Sequence, residues 1–146
     1  ISVTGVQTCA LPILQQASNA RTFIEHPNGN SLFIHDLEGR LLWTTKPGGL
    51  CYEIPLSADG RYVILGATHG RSQKDTSGQG VYVFDHWRPG SASDRLTWFL
   101  NTDGICISAA ASEDGRRIVA LEYPLDMDPR SEFEDVRGKH RLYFLR

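Results

Sequence analysis

The chain matches itself when one copy is displaced by 55 positions. Leu41 to Ala67 (LLWTTKPGGLCYEIPLSADGRYVILGA) then aligns without a gap to Leu96 to Glu122 (LTWFLNTDGICISAAASEDGRRIVALE). The identities cluster at turn residues and at one tryptophan position, which is typical of a structural repeat. The identical pairs are Leu41/Leu96, Trp43/Trp98, Gly49/Gly104, Cys51/Cys106, Ser57/Ser112, Asp59/Asp114, Gly60/Gly115 and Arg61/Arg116.

Each repeat consists of short predicted strands separated by tight turns. The first strand is a mostly apolar run, which favours burial on both faces, and Ser-x-Asp-Gly follows it. Asp59-Gly60 and Asp114-Gly115 supply the residue with positive φ that a tight turn requires. The run after each turn is rich in Val, Ile and Tyr, which suit a pleated strand. The predicted strands are Leu50–Leu56, Arg61–Leu65, Val81–Asp85 and Leu96–Leu100 in one unit, and Ile105–Ala111, Arg116–Leu121 and Leu142–Arg146 in the next.

The same strand order extends towards the N-terminus. A displacement of 40 positions places Ala17–Ile24, Leu32–Asp36 and Leu41–Thr45 beneath the second, third and fourth strands of the complete unit. We therefore predict a partial blade with strands two to four at 14–45, a complete blade at 46–100, and a partial blade with strands one to three at 101–146. Helical periodicity is absent, so no helix is predicted.

Units of about 40 to 55 residues that hold four short antiparallel strands are typical of β-propeller blades. We predict an all-β fold: a partial β-propeller of about two to three four-stranded antiparallel blades with an incomplete ring. A two-sheet sandwich is the alternative, but it gives no reason for the ungapped self-match. Because an incomplete ring leaves strand edges open, we expect the isolated chain to self-associate.

The N-terminal segment 1–13 is predicted to be non-native. Val3 to Ile13 (VTGVQTCALPI) equals the translation of a common sequencing adapter, as arises in metagenomic assemblies. The native N-terminus is therefore expected to be missing, and the adapter to have replaced most of an inner strand near residues 10–16. Because Cys9–Leu14 (CALPIL) is apolar, this segment keeps the capacity to pair as a strand.

Composition excludes several classes of partner. The net charge is −2, with 15 basic and 17 acidic side chains that are spread along the chain, so nucleic acid and anionic membranes are not expected partners. No apolar run approaches the roughly 18 residues of a spanning helix. Cys51 and Cys106 occupy matching contexts without a CxxC pattern, which favours two buried thiols over a disulfide or a metal site. The compartment stays undetermined.

The Ser-x-Asp-Gly turns resemble those between the first and second strands of WD40-like blades. Asp36 to Trp43 (DLEGRLLW) is similar to the pattern of Asp, Gly and Trp that links the third and fourth strands of quinoprotein (PQQ)-like propellers. The resemblance implies that the first strands line the central channel. It also implies that Trp43 and Trp98 lie near the rim and pack between neighbouring blades, and that the carboxylates of Asp36 and Asp85 accept hydrogen bonds in turns.

The residues contain no catalytic constellation, and no catalytic, cofactor-binding or metal-binding residue is predicted. His86 adjoins a turn and is interpreted as solvated. The long connections Thr68–Gly80 and Tyr123–His140 are the candidate recognition surfaces. The leading hypothesis is a non-catalytic binding or scaffold module that uses its loops to bind a protein or a small molecule. The alternatives are part of a quinoprotein-like oxidoreductase and the gating propeller of a prolyl-oligopeptidase-type serine hydrolase; the cofactor stays unknown.

Overall fold

The computed structural model describes residues 7–10, 31–51, 54–68, 77–126 and 136–146. Twelve strands and one short helix occupy these ranges. They are β1 (Gln7–Ala10), β2 (Leu32–His35), β3 (Leu41–Thr45), β4 (Leu50–Cys51), β5 (Tyr62–Thr68), β6 (Gly80–Asp85), α1 (Ala92–Arg95), β7 (Leu96–Asn101), β8 (Ile105–Ala111), β9 (Ile118–Tyr123), β10 (Leu125–Asp126), β11 (Val136–Arg137) and β12 (Arg141–Leu145).

The strands form three blade-sized sheets and one small ribbon. The first sheet has the order β1-β2-β3, the second β4-β5-β6-β7, and the third β8-β9-β12, while β10 and β11 pair by themselves. Every pair is antiparallel. The regular secondary structure of the described residues is thus nearly all β, in several small antiparallel sheets with no closed ring among them, and the predicted all-β fold class is confirmed.

The second sheet lies between the other two. Its residues Val63, Leu65 and Phe84 pack against Leu32 and Ile34 of the first sheet in one apolar cluster. Its opposite face, with Ile64, Val81 and Val83, packs against Cys106, Ile118 and Ala120 of the third sheet. Because β5 and β6 are buried on both faces, their continuous apolar runs are explained by the stacking.

The Ser-x-Asp-Gly turns have one hydrogen-bonding pattern in both repeats. Ser57 Oγ donates to Asp59 Oδ1 at 2.5 Å and accepts from the N–H of Tyr62. Ser112 does the same with Asp114 at 2.6 Å and with the N–H of Arg117. The glycines after the two carboxylates, Gly60 and Gly115, have φ of 72° and 66°. These angles favour glycine, since a Cβ would be strained there.

A bulge recurs at one position of the repeat. The register between β2 and β3 shifts after the pair Ile34 and Trp43, and Leu42 is left without an opposite residue. The register between β6 and β7 shifts after the pair Val83 and Trp98, where Thr97 is skipped. A bulge bends its strand and increases the local twist. The last strands of the first and second sheets therefore bend at the same place.

Several local features differ from the sequence predictions. We predicted no helix, but α1 is present because Ser91 and Asp94 form a capping box. The strand predicted at Leu50–Leu56 is described only as β4 and as an isolated bridge from Leu56 to Val63. The second connection contains the ribbon β10–β11.

The neighbour of β2 also differs from the prediction. We predicted Ala17–Ile24 as the strand beside Leu32–Asp36, whereas the structure has β1 on that edge, paired from Gln7 with His35 to Ala10 with Leu32. An open strand edge is a template for pairing with another extended segment, which explains why β1 occupies the position predicted for Ala17–Ile24. Ala17–Ile24 lies outside the described residues. β1 falls within the adapter-like residues 1–13.

Candidate functional site: a groove between the second and third sheets

A groove of about 1670 Å³ opens between the second and third sheets, at the end where the Ser-x-Asp-Gly turns lie. Its apolar wall includes Tyr62, Trp98, Ile118 and Leu145. Its polar lining contains five arginines and four carboxylates, namely Arg61, Arg88, Arg116, Arg117 and Arg146 with Asp59, Asp85, Glu113 and Asp114. The groove therefore combines flat apolar surface with charged groups able to orient a ligand.

The carboxylate of Asp85 is buried and fully engaged within the second sheet. Arg61 Nη2 donates to Asp85 Oδ2 at 2.9 Å, and Arg88 Nε lies 3.7 Å from the same oxygen. The N–H of Trp87 donates to Oδ1 at 3.1 Å. Burial opposes ionisation of Asp85, but the hydrogen bonds from Arg61 and Trp87 outweigh it and lower its pKa. Asp85 is therefore an ionised carboxylate whose charge is balanced by Arg61 and Arg88, and it holds the turn through the N–H of Trp87.

The third repeat lacks this anchor. Arg146 occupies the position of Asp85 when LYFLR is aligned with VYVFD. Arg116 is the counterpart of Arg61, and its one ion pair within the described part of the chain is with Asp114, at 4.0 Å. The guanidinium groups of Arg117 and Arg146 form no ion pair within the described ranges. Replacement of a carboxylate by a guanidinium therefore leaves positive charge at this end of the groove.

The two tryptophans of the repeat have different surroundings. Trp43 on β3 is buried against Phe84, and its ring is covered by Arg95, whose Cζ lies 5.6 Å from the ring centroid. Trp98 on β7 packs against the cluster between the second and third sheets, is only partly buried, and lines the groove. Trp43 thus closes the contact between the first and second sheets. Trp98, at the equivalent position of the next repeat, leaves an accessible apolar surface in the groove.

His86 does not match its interpretation as a solvated turn residue. Its Nδ1 accepts a hydrogen bond from Trp43 Nε1, and its ring is half-buried. Burial, followed by the positive charge of Arg95, lowers the pKa of His86. The interpretation was wrong because the partner, Trp43, is distant in sequence.

A polar network joins the second and third sheets at the end opposite the groove. Buried Gln79 donates from Nε2 to the carbonyl oxygens of Thr102, Asp103 and Gly104 at 2.9 to 3.0 Å. Its Oε1 accepts from Thr68 Oγ1 at 3.2 Å. One amide side chain therefore satisfies the carbonyls of the connection between β7 and β8.

Glu122 anchors the same connection from β9. Its side chain is fully buried, and Oε1 accepts from the N–H of Gly104 at 2.7 Å. Oε2 accepts from the hydroxyl of Tyr143 and lies 3.5 Å from Arg141 Nη1. Burial, then the hydrogen bond to Glu122, raises the pKa of Tyr143. A buried carboxylate with this many donors fixes the backbone around it.

Neither Gln79 nor Glu122 was singled out by the sequence analysis, and Tyr143 was treated only as part of a strand. The sequence signal that could have found them was a polar residue at an apolar strand, since Gln79 directly precedes β6 and Glu122 lies within β9. Glu122 is the last residue of the self-aligned segment, where its counterpart is Ala67. That difference between repeats marks a group specific to the third sheet.

The other repeat positions lie in turns or in the core. Asp36 Oδ1 accepts from the N–H of Arg40 at 2.8 Å, within the turn between β2 and β3. Cys106 is a free, buried thiol whose pKa is raised to about 11 by burial and then by the charge of Glu122. The side chain of Cys51 lies outside the described residues. The described residues contain no group of three or more His, Cys, Asp or Glu placed to hold a metal ion.

Most of the two connections proposed as recognition surfaces is not described. Within Thr68–Gly80 the structure describes Thr68 and 77–80, and within Tyr123–His140 it describes 123–126 and 136–140. Within the described ranges, no helix has the length and apolarity needed to cross a membrane.

Comparison with solved structures finds a similar arrangement in hydrazine synthase from Kuenenia stuttgartiensis, a β-propeller-containing protein. The TM-score is 0.50 at 13% sequence identity, and the match covers 79% of this chain. This likeness concerns the fold. The chain spans 32% of the length of that protein. No protein-family model matches the chain, and a search of curated proteins finds no match either.

Proposed function

We propose that this chain is the β-propeller portion of a larger protein and acts as a non-catalytic binding module for an acidic ligand. In this proposal, residues 14–45, 46–100 and 101–146 are successive blades of a WD40-like or PQQ-like repeat. Residues 1–13 are derived from an adapter. Trp43, Trp98, the Asp-Gly turns, Asp36, Asp85, Cys51 and Cys106 serve as structural positions of the repeat.

The observation that carries the binding role is the groove beside Trp98. Asp85 is already neutralised by Arg61 and Arg88, whereas Arg117 and Arg146 form no ion pair within the described residues. Guanidinium groups bind carboxylates in a bidentate geometry, and the nearby indole ring offers a flat apolar platform. The ligand that fits this combination is a peptide segment with Asp or Glu next to an aromatic residue.

A fluorescence polarisation experiment tests this proposal. The probe is a short fluorescein-labelled peptide of alternating Glu and Phe, and its control is the same peptide with Lys in place of Glu. We expect the acidic peptide alone to bind, and its affinity to fall roughly tenfold in Arg117→Ala, since a charge-assisted hydrogen bond contributes about 1.5–3 kcal/mol.

Lys46→Ala is the matched control variant, because it removes one exposed positive charge from the first sheet, outside the groove. It should bind the acidic peptide as the wild-type chain does. An equal loss of affinity in Arg117→Ala and Lys46→Ala would overturn the proposal, and so would equal affinity for the Glu and Lys peptides.

A further inference from the structure

Large exposed apolar side chains lie on the outer faces of the first and third sheets. On the third sheet, Leu142 is 52% exposed and Phe144 is 73% exposed. Leu142 lies opposite Leu121, and Phe144 lies opposite Val119, so an apolar row crosses β12 and β9. We name Val119, Leu121, Leu142 and Phe144 the outer row of the third sheet. Such an exposed row is typical of an interaction surface.

The counterparts of this row in the second sheet are buried. The repeat alignment equates Val119 with Ile64, and the third-strand match equates Leu142 with Val81 and Phe144 with Val83. Ile64, Val81 and Val83 form the face that packs against the third sheet. The same strand positions are therefore covered by a neighbouring sheet in one repeat and bare in the next.

The first sheet presents the complementary face. Phe33 and His35 occupy the positions of Tyr82 and Phe84, and both pairs of rings stack, with centroids 6.4 Å and 6.1 Å apart. Tyr82 and Phe84 pack towards the first sheet.

Leu41 extends this face of the first sheet. It lies opposite His35 and is 53% exposed, whereas its counterpart Leu96 packs into the cluster between the first and second sheets. We name Phe33, His35 and Leu41 the outer row of the first sheet.

We propose that two copies of this chain associate head to tail, with the outer row of the third sheet of one copy packed on the outer row of the first sheet of the other. The chain already uses this kind of contact twice, between the first and second sheets and between the second and third. Each copy carries both halves of a third such contact. The association is heterologous, because two different surfaces meet.

Sedimentation velocity over a range of concentrations tests the proposal. The wild-type chain should form oligomers as its concentration rises. Phe144→Asp and Leu41→Asp each place a charge in one of the two rows, and each should weaken self-association at least tenfold. Trp87→Asp is the control, because Trp87 is 57% exposed in a turn outside both rows; this variant should associate as the wild type does.

Mixing the two row variants distinguishes the orientation. Phe144→Asp keeps the first-sheet row, and Leu41→Asp keeps the third-sheet row, so an equimolar mixture should form a dimer although neither variant does alone. Leu142→Asp changes the same row as Phe144→Asp, so a mixture of Leu142→Asp with Leu41→Asp should also form a dimer. Circular dichroism should show that each variant is folded. A monomeric wild-type chain, a self-associating Leu41→Asp variant, or a monomeric mixture of folded variants would each overturn the proposal.

Discussion

The indole Nε1 of Trp43 donates a hydrogen bond to Nδ1 of His86 at 2.8 Å, and the two rings stack with centroids 6.2 Å apart. Trp43 belongs to the last strand of the first sheet, and His86 follows the third strand of the second sheet. This contact therefore links two consecutive sheets. It requires an unprotonated Nδ1 on His86, which makes the link dependent on pH.

We predict that the Trp43–His86 link loses stabilisation in acid. The pKa of His86 is lowered in the folded chain by burial and by Arg95, so the unfolded chain binds a proton first as the pH falls below about 6.5. The stabilisation is present above that pH and declines as the pH falls towards the folded-state value. Urea unfolding should show His86→Phe less stable by about 1 kcal/mol at neutral pH, with the difference shrinking in acid. A difference that grows in acid would contradict the assignment.

Two glycine substitutions separate backbone strain from steric overlap. Gly39 and Gly115 have φ of 81° and 66°, so alanine at either position adopts a left-handed conformation that costs about 1 kcal/mol. A Cβ at Gly39 has nothing within 4 Å, whereas a Cβ at Gly115 overlaps the ring of Tyr62 in the second sheet. We expect Gly115→Ala to reduce the free energy of unfolding clearly more than Gly39→Ala. Equal losses would mean that the Gly115 turn does not contact Tyr62.

The amide of Gln79 should tolerate neither a carboxylate nor an apolar side chain. Gln79→Leu removes the amide donor that the carbonyls of Thr102, Asp103 and Gly104 share, at a cost of about 1–3 kcal/mol. Gln79→Glu places a carboxylate among those carbonyls, so burial and repulsion raise its folded-state pKa above the unfolded value. Its stability should therefore decline further as the pH rises from acid to neutral. Chemical denaturation of both variants at two pH values measures this, and a pH-independent Gln79→Glu variant would contradict the described environment.

The thiol of Cys106 should be unreactive in the folded chain. Its pKa is raised to about 11, so its thiolate fraction near pH 8 is roughly two orders of magnitude below that of an ordinary cysteine with pKa about 8.5. Alkylation by iodoacetamide followed by peptide mass mapping should show Cys106 reacting at least a hundredfold more slowly than N-acetylcysteine. In urea the two rates should converge. Rapid modification of Cys106 in the folded chain would show that the second sheet does not cover it.

The parts of the fold that were predictable are those specified by local sequence. Asp59-Gly60 and Asp114-Gly115 indicated turns because the conformation depends on neighbouring residues alone. The strand Ile105–Ala111 was predicted with the bounds that the structure has, since its apolar run ends at a turn signal. The stacking of three sheets followed from the repeat, since a repeated unit that cannot bury its own faces packs against its copies.

The parts that were missed depend on contacts between distant residues. Gln79 binds the carbonyls of residues more than twenty positions away, and His86 accepts from Trp43 across 43 positions. Sequence periodicity contains no information about such partners. The groove was missed for the same reason, since its arginines come from three separate turns and from the end of the last strand.

The stacking described above requires that the first and third sheets cover the two faces of the second sheet. Methyl NOE spectroscopy of a chain labelled at Ile, Leu and Val tests it most directly. We expect cross-peaks from Val63 and Leu65 to Leu32 and Ile34, and separate cross-peaks from Ile64 and Val83 to Ile118. Cross-peaks between Ile34 and Ile118, or solvent-exposed methyls on one face of the second sheet, would indicate a two-sheet sandwich and contradict the stacking of three sheets.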